Sequence, residues 1–169
     1  WFQYYDKAHV KVRDGVVYLN GDPLETFAAI DFAFSMKAAA DYTCIAVIGV
    51  SSSGNIYVLD VVRFKTSSIA EYYKNIKESY LKWKFKKIRM ETTVGQQVLV
   101  RELKDQYFRV DGLPVSIDEY RPSTRVSKEE RMAAVLRPRY ENLSVWHASN
   151  SGNMQMLEEE LVLLKPPPS

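Results

Sequence analysis

The chain has little with which to do redox or nucleophilic chemistry. Its 169 residues hold one cysteine, Cys44, and two histidines, His9 and His147. A single cysteine excludes an internal disulfide framework and suits a reducing compartment. Cys44 lies in the apolar run TCIAVIGV with no histidine or basic neighbour in sequence, and reads as core. No apolar run approaches the roughly 18 residues of a membrane span, and no signal peptide is visible. No G-x-x-x-x-G-K-[ST] loop occurs, which excludes a P-loop motor within these residues. The formal charge is only +2, so nothing global demands a polyanionic partner, although a local basic face remains open. The sequence begins at Trp1 and ends KPPPS, and the expectation is a domain of a longer protein.

What is present fits one globular domain with a sizeable core: 46% hydrophobic residues, 26% charged and 12% aromatic. Residues 1–24 are aromatic and mixed, with turn signals at Asp14-Gly15 and Asn20-Gly21-Asp22-Pro23. They read as an entry segment on the linker side of the domain, with a short strand at VVYL. Three strand-like runs follow, TFAAIDFAFS, TCIAVIGV and NIYVLDVVRF, the last two joined by the hairpin-grade loop SSSGN. The first run is apolar on both parities, as in a central strand covered on both faces.

The period then changes from 2 to 3.6. SSIAEYYKNIKESYLKW carries Ile69, Tyr72, Ile76, Tyr80 and Trp83 at helical spacing and opens on a capping box, Ser68 with Glu71. KKIRMETT reads as a strand, TVGQQVLVRELKDQY as a helix opened by Thr93 and Gln96, and LPVSIDEY as a strand. SKEERMAAVLRPRY reads as a helix capped by Ser127 and Glu130 and ended before Pro138. LSVWH and the helix GNMQMLEEELVLL, with Met154, Leu157, Leu161 and Leu164 on one face, complete the order. A βββ meander followed by βα alternation gives an α/β fold, a mixed β-sheet flanked by helices on both faces.

Asp31, centred in FAAIDFAFS, and Glu91, after KIRM, stand out chemically. An isolated ionised carboxylate is rarely buried without a partner. If the first and fourth strands are parallel neighbours, these two acids face each other across one strand spacing, about 5 Å. Close carboxylates repel unless a cation sits between them, and hard divalent cations take one or two carboxylates plus substrate phosphate. A structural, hydrogen-bonded role is the alternative for each acid. Asp60 reads as structural on an edge strand. Asp118 and Glu119 end a strand near the same rim. Arg121, Arg125, Lys128 and Arg131, in EYRPSTRVSKEER, lead from a strand end into a helix N-terminus, a setting for DNA phosphate or for a solvated loop. The Lys residues of LKWKFKKIR read as a solubilising coat, and His147 as a satisfied strand-end histidine.

The succession AAIDFAFS, ADYTCIAVIGV, IRMETT, SKEERMAAVLRPRYENLSVW and MLEEELVLLKPPP resembles the nuclease domain of the large terminase subunit of tailed bacteriophages. The resemblance covers about residues 25–169. It implies a ribonuclease-H-like fold and a metal-dependent DNA endonuclease acting by a two-metal mechanism on concatemeric double-stranded DNA. It further implies that Asp31 bridges two divalent cations, Mg²⁺ or Mn²⁺, that Glu91 holds one, and that Asp41 is a further acid near the site. A third acidic ligand is implied after the proline turn, and the sequence in hand ends at that turn. Implied partners are an ATPase domain of the same parent protein, a small terminase subunit and a portal protein, with no membrane. The implied location is the cytoplasm of the infected bacterial host. Two other functions stay open: a ribonuclease-H-like module that binds DNA or docks to a portal without cutting, and a junction-resolvase-like nuclease.

Overall fold

Alternating burial along the strands sets the sheet. A computed structural model of the chain describes residues 2–32, 42–123, 125–149 and 151–163. The strands are β1 (Gln3–Tyr5), β2 (Val10–Arg13), β3 (Val16–Leu19), β4 (Asp22–Asp31), β5 (Thr43–Val50), β6 (Ile56–Phe64), β7 (Lys87–Glu91), β8 (Ser116–Tyr120) and β9 (Val145–Ala148). They join in the order β1-β9-β6-β5-β4-β3-β2, with β7 pairing β4 and β8 pairing β7. The meander β4-β5-β6 is antiparallel, whereas β7 runs parallel to β4, β8 to β7 and β9 to β6. The central order β6-β5-β4-β7-β8 is therefore a hairpin meander extended on one side by crossover strands, as the periodicity change predicts.

Helices cover both faces. α1 (Ile69–Trp83) starts at Ser68, whose hydroxyl accepts from the Glu71 amide at 3.4 Å, and ends on Lys84 in the left-handed region. On this face Ile30, Ile45, Val47, Ile88 and Met90 are nearly inaccessible, joined by Ile76 of α1, Phe85 and Leu103. Each such side chain contributes roughly 1.5–3 kcal/mol of transfer free energy. Phe32 meets Tyr72 of α1 edge to face at 5.2 Å. The next helical stretch runs through α2 (Gln97–Glu102), a π-helical Leu103–Phe108 and α3 (Arg109–Asp111). It outlasts the expected TVGQQVLVRELKDQY, and Phe108, just past that end, reaches the core. α4 (Lys128–Glu141) and α5 (Gly152–Leu163) lie on the other face, touching Asp31 and Arg63 respectively. No helix among the described residues is long and apolar enough to cross a membrane.

Four sequence expectations are corrected. The entry segment supplies three strands rather than one: β1 pairs β9, and β2 and β3 extend the sheet beyond β4. β6 is an interior strand between β5 and β9, not an edge, and Asp60 there is held by the Trp83 indole N–H at 2.9 Å. β4 is central but not covered on both faces: Ala28 and Ile30 are buried, while Ala29 and Asp31 are exposed. Helix α4 continues through Pro138 to Glu141. An interior proline costs about 3 kcal/mol in a helix. Here Arg139 Nη1 donates to the Val135 carbonyl at 2.6 Å, and the last turn buries Tyr140.

Candidate active site

The parallel pairing of β4 and β7 sets Asp31 opposite Glu91, each the last residue of its strand. The two carboxylates therefore leave the sheet together at its carboxyl end, about 5 Å apart at the backbone. Asp31 does not need rescue from burial: its side chain is 57% exposed, and that of Glu91 31%. The exposure follows from strand alternation, which points Phe27, Ala29 and Asp31 to the face that α1 does not cover. An open cleft of about 370 Å³ on that face is lined by Phe27, Ala29, Ala46, Ile48, Lys87 and Arg89.

Helix α4 brings cations to both acids. Ser127 Oγ accepts from the Glu130 amide at 3.1 Å and fixes where the helix begins. Lys128 and Arg131, three residues apart, then share one face. Lys128 Nζ donates to Asp31 Oδ2 at 2.5 Å, and Arg131 Nη2 donates to Glu91 Oε1 at 3.3 Å. Arg131 Nε is buried and has no acceptor among the described residues. The four side chains thus form two neutral pairs, with one guanidinium N–H unsatisfied beside Glu91.

Around this quartet the other sequence candidates are distributed unevenly. Arg121 and Arg125 lie exposed in the loop before α4, Arg121 directly after Tyr120, which stands opposite Glu91 in β8. Asp41 falls outside the described residues. Asp118 is held by Arg89 at 2.9 Å. Glu119 accepts from Thr92 Oγ1 at 3.2 Å and aligns with Met90, on the opposite face from Glu91. No group of three metal-ligating side chains occurs among the described residues. Cys44 stands opposite Asp31 in β5. Burial pushes its thiol up, the Asp31 and Glu160 carboxylates add to this, and Arg63 and Lys128 oppose it. His147 is wholly buried, with Nδ1 2.8 Å from Glu158 Oε1 and Nε2 2.7 Å from the Tyr140 hydroxyl. It ties β9 to α4 and α5 and takes no part in the acid pair.

Oxygen donors from two adjacent carboxylates match a hard divalent cation of the magnesium kind, which keeps waters and binds substrate phosphate. The residues present fit such an ion, provided Lys128 and Arg131 release the acids. The pairing of these two cations with the two acids is what the sequence did not show. The sequence offered the two cations as DNA contacts or as part of a solvated loop, although a basic i, i+3 pair at the start of a capped helix was legible.

Residues 35–144 match the family described as Terminase Bacteriophage T7, Ribonuclease H-like domain. The large terminase nuclease from thermophilic phage G20c is similar in fold, with a TM-score of 0.57 at 13% identity, over 90% of this chain and 73% of that one. The zinc-bound structure of that nuclease gives 0.58 at 12% identity, over 93% and 82%. No curated protein sequence matches the chain. The fold is thus ribonuclease-H-like, a mixed sheet flanked by helices on both faces.

Proposed function

The chain belongs to the bacteriophage T7 terminase ribonuclease H-like family, and from that premise we propose that it is a metal-dependent endonuclease domain that cuts double-stranded DNA during viral genome packaging. The observation that carries the reading is the in-register Asp31–Glu91 pair at the carboxyl ends of parallel strands, faced by Lys128 and Arg131. Asp31 and Glu91 hold divalent cations, Mg²⁺ or Mn²⁺. Divalent cations held by these two carboxylates would supply Lewis-acid activation of the attacking water and charge stabilisation of the leaving oxygen. Lys128 and Arg131, once released from the acids, turn to the phosphate that is cut, and the unsatisfied Arg131 Nε gains an acceptor. Arg121 and Arg125 add sequence-independent contacts to flanking phosphates. The parent ATPase domain, the small terminase subunit and the portal protein are the expected partners, in the cytoplasm of the infected bacterial host.

The test is nicking of supercoiled plasmid with Mn²⁺ or Mg²⁺ by the chain and by Asp31→Asn and Glu91→Gln. Cleavage lost in both variants supports the assignment. Cleavage that survives either substitution refutes it. DNA binding without cleavage by the unsubstituted chain would favour the non-cutting module.

A further inference from the structure

The row of residues that carries the acid pair continues across the sheet in the other direction. Arg63, Cys44, Asp31, Glu91 and Tyr120 stand in register across β6, β5, β4, β7 and β8, so their side chains share one face. Tyr42 and Lys65 lie just beyond the outermost β5–β6 pair, Thr43 with Phe64. The Arg63 guanidinium carbon lies 4.1 Å from the Tyr42 ring centre, and Lys65 Nζ lies 4.5 Å from it. Tyr42 is the only ring among the described residues that carries two cations, and it is 49% exposed.

Among the described residues, the partners of these cations are neutral. Arg63 Nη1 also meets Met156 Sδ of α5 at 2.8 Å. Neither Arg63 nor Lys65 forms an ion pair among the described residues. Glu160 of α5 acts on nearby Cys44 but does not pair with Arg63. By contrast, Lys128, Arg131 and Arg89 are each neutralised by a carboxylate. An aromatic face and a thioether fix where a cation sits without cancelling its charge, so two converging cations held this way are preorganised for an anion.

We propose that Arg63, Lys65 and Tyr42 form a phosphate subsite that holds the nucleic-acid strand flanking the Asp31–Glu91 pair. This rests on the nuclease reading and adds a substrate contact to it. The guanidinium fork takes two non-bridging oxygens, Lys65 adds a point charge, and the Tyr42 ring holds both in place. Arg63 stands two strand spacings, about 10 Å, from Asp31. At a rise of about 3.4 Å per nucleotide, the bound phosphate lies within about three nucleotides of the bond cut. Contacts to phosphate alone confer no base preference.

The experiment measures duplex binding by fluorescence anisotropy in EDTA, where nothing is cut, across a salt series. Plasmid nicking in Mn²⁺ is measured in parallel. The variant pair Arg63→Gln/Lys65→Gln should lose about tenfold in affinity and flatten the log–log salt slope by about one to two. Lys74→Gln/Lys104→Gln, equal in charge change and exposed elsewhere, should leave both unchanged. Duplexes with one methylphosphonate linkage should show a flanking position at which the chain and the Arg63/Lys65 variant bind alike, which also guards against a misfolded variant. Unchanged affinity and slope in a chain that still nicks plasmid would overturn the subsite while leaving the nuclease reading intact. An equal loss in the Lys74/Lys104 control would overturn it too. A chain that neither binds nor nicks would overturn the nuclease reading, and the subsite with it.

Discussion

Replacing Lys128 with methionine removes one of the two cations that hold the acid pair and keeps most of the aliphatic stem. Any divalent cation that binds Asp31 and Glu91 must take the carboxylates from Lys128 and Arg131, so the free energy of each ion pair opposes metal binding. The Lys128–Asp31 pair is 44% and 57% exposed. Solvent screens it to about 0.2–1 kcal/mol, a factor of about 1.4–5 in the metal Kd. The Arg131–Glu91 pair, at 23% and 31%, is less screened. Its charged hydrogen bond is worth about 1.5–3 kcal/mol, but the buried Nε without an acceptor costs about 1–3 kcal/mol, so the pair nets close to zero for stability. Lys128→Met is therefore expected to tighten Mn²⁺ binding by about 1.4–5-fold, with Lys128→Met/Arg131→Met tighter still. Neither variant should shift unfolding free energy by more than about 1 kcal/mol. Isothermal titration of Mn²⁺ into DNA-free protein at low ionic strength reads the affinity, and urea unfolding reads the stability. Adding Asp31→Asn to either variant should abolish the gain. A Kd that stays unchanged or rises in the double variant would refute the competition and the assignment of the acids as metal ligands.

Three further outcomes follow from packing and burial. Burial raises the phenols of Tyr5, Tyr73 and Tyr140 above their ordinary value of 10.0, with the carboxylates of Asp60, Asp111 and Glu158 adding to it in turn. The folded chain keeps protons that the unfolded chain releases, so this stability is complete below pH 10 and is lost as pH rises above it. Urea midpoints at pH 8, 10 and 11 should fall in that order and fall less in Tyr5→Phe, whereas flat midpoints would contradict the account. His147→Ala leaves the Glu158 carboxylate and the Tyr140 hydroxyl without their shared partner. It should cost about 2–4 kcal/mol in urea unfolding, and a loss below about 1 kcal/mol would show that the network is not a unit. A Cβ on Gly49 would sit 2.8 Å from Leu24 Cδ1 and 3.2 Å from Leu59 Cδ1. Gly49→Ala should cost about 1–3 kcal/mol, with part recovered by Leu24→Ala, and a neutral substitution would mean that the packing there is loose.

The core strands and most helix starts were legible because they rest on local rules. Ser68 and Ser127 cap α1 and α4 where the sequence placed them, and the Gln96 side chain accepts from the Thr93 amide at 3.0 Å. The π-helical Leu103–Phe108 was not legible, since what selects it is the burial of Leu103 and Phe108 against neighbours distant in sequence. Pro138 misled for the same reason: tertiary burial of Tyr140 outweighed a local stop signal. The residues of β1 escaped notice because their hydrogen bonds go to β9, more than a hundred positions away.

The sequence by itself determined the order of elements from β4 onward, the capped start of α4 and the choice of Asp31 and Glu91 as candidate acids, because periodicity and capping act over a few residues. Pairing is a non-local choice, so only the tertiary structure decided that β4 and β7 lie side by side in a register that joins Asp31 to Glu91. The same choice left one face of β4 open, turned Lys128 and Arg131 onto the acids, and gathered Arg63 and Lys65 at the Tyr42 ring. Charges separated by up to about a hundred residues meet there because a sheet transmits register from strand to strand, and no local pattern encodes that.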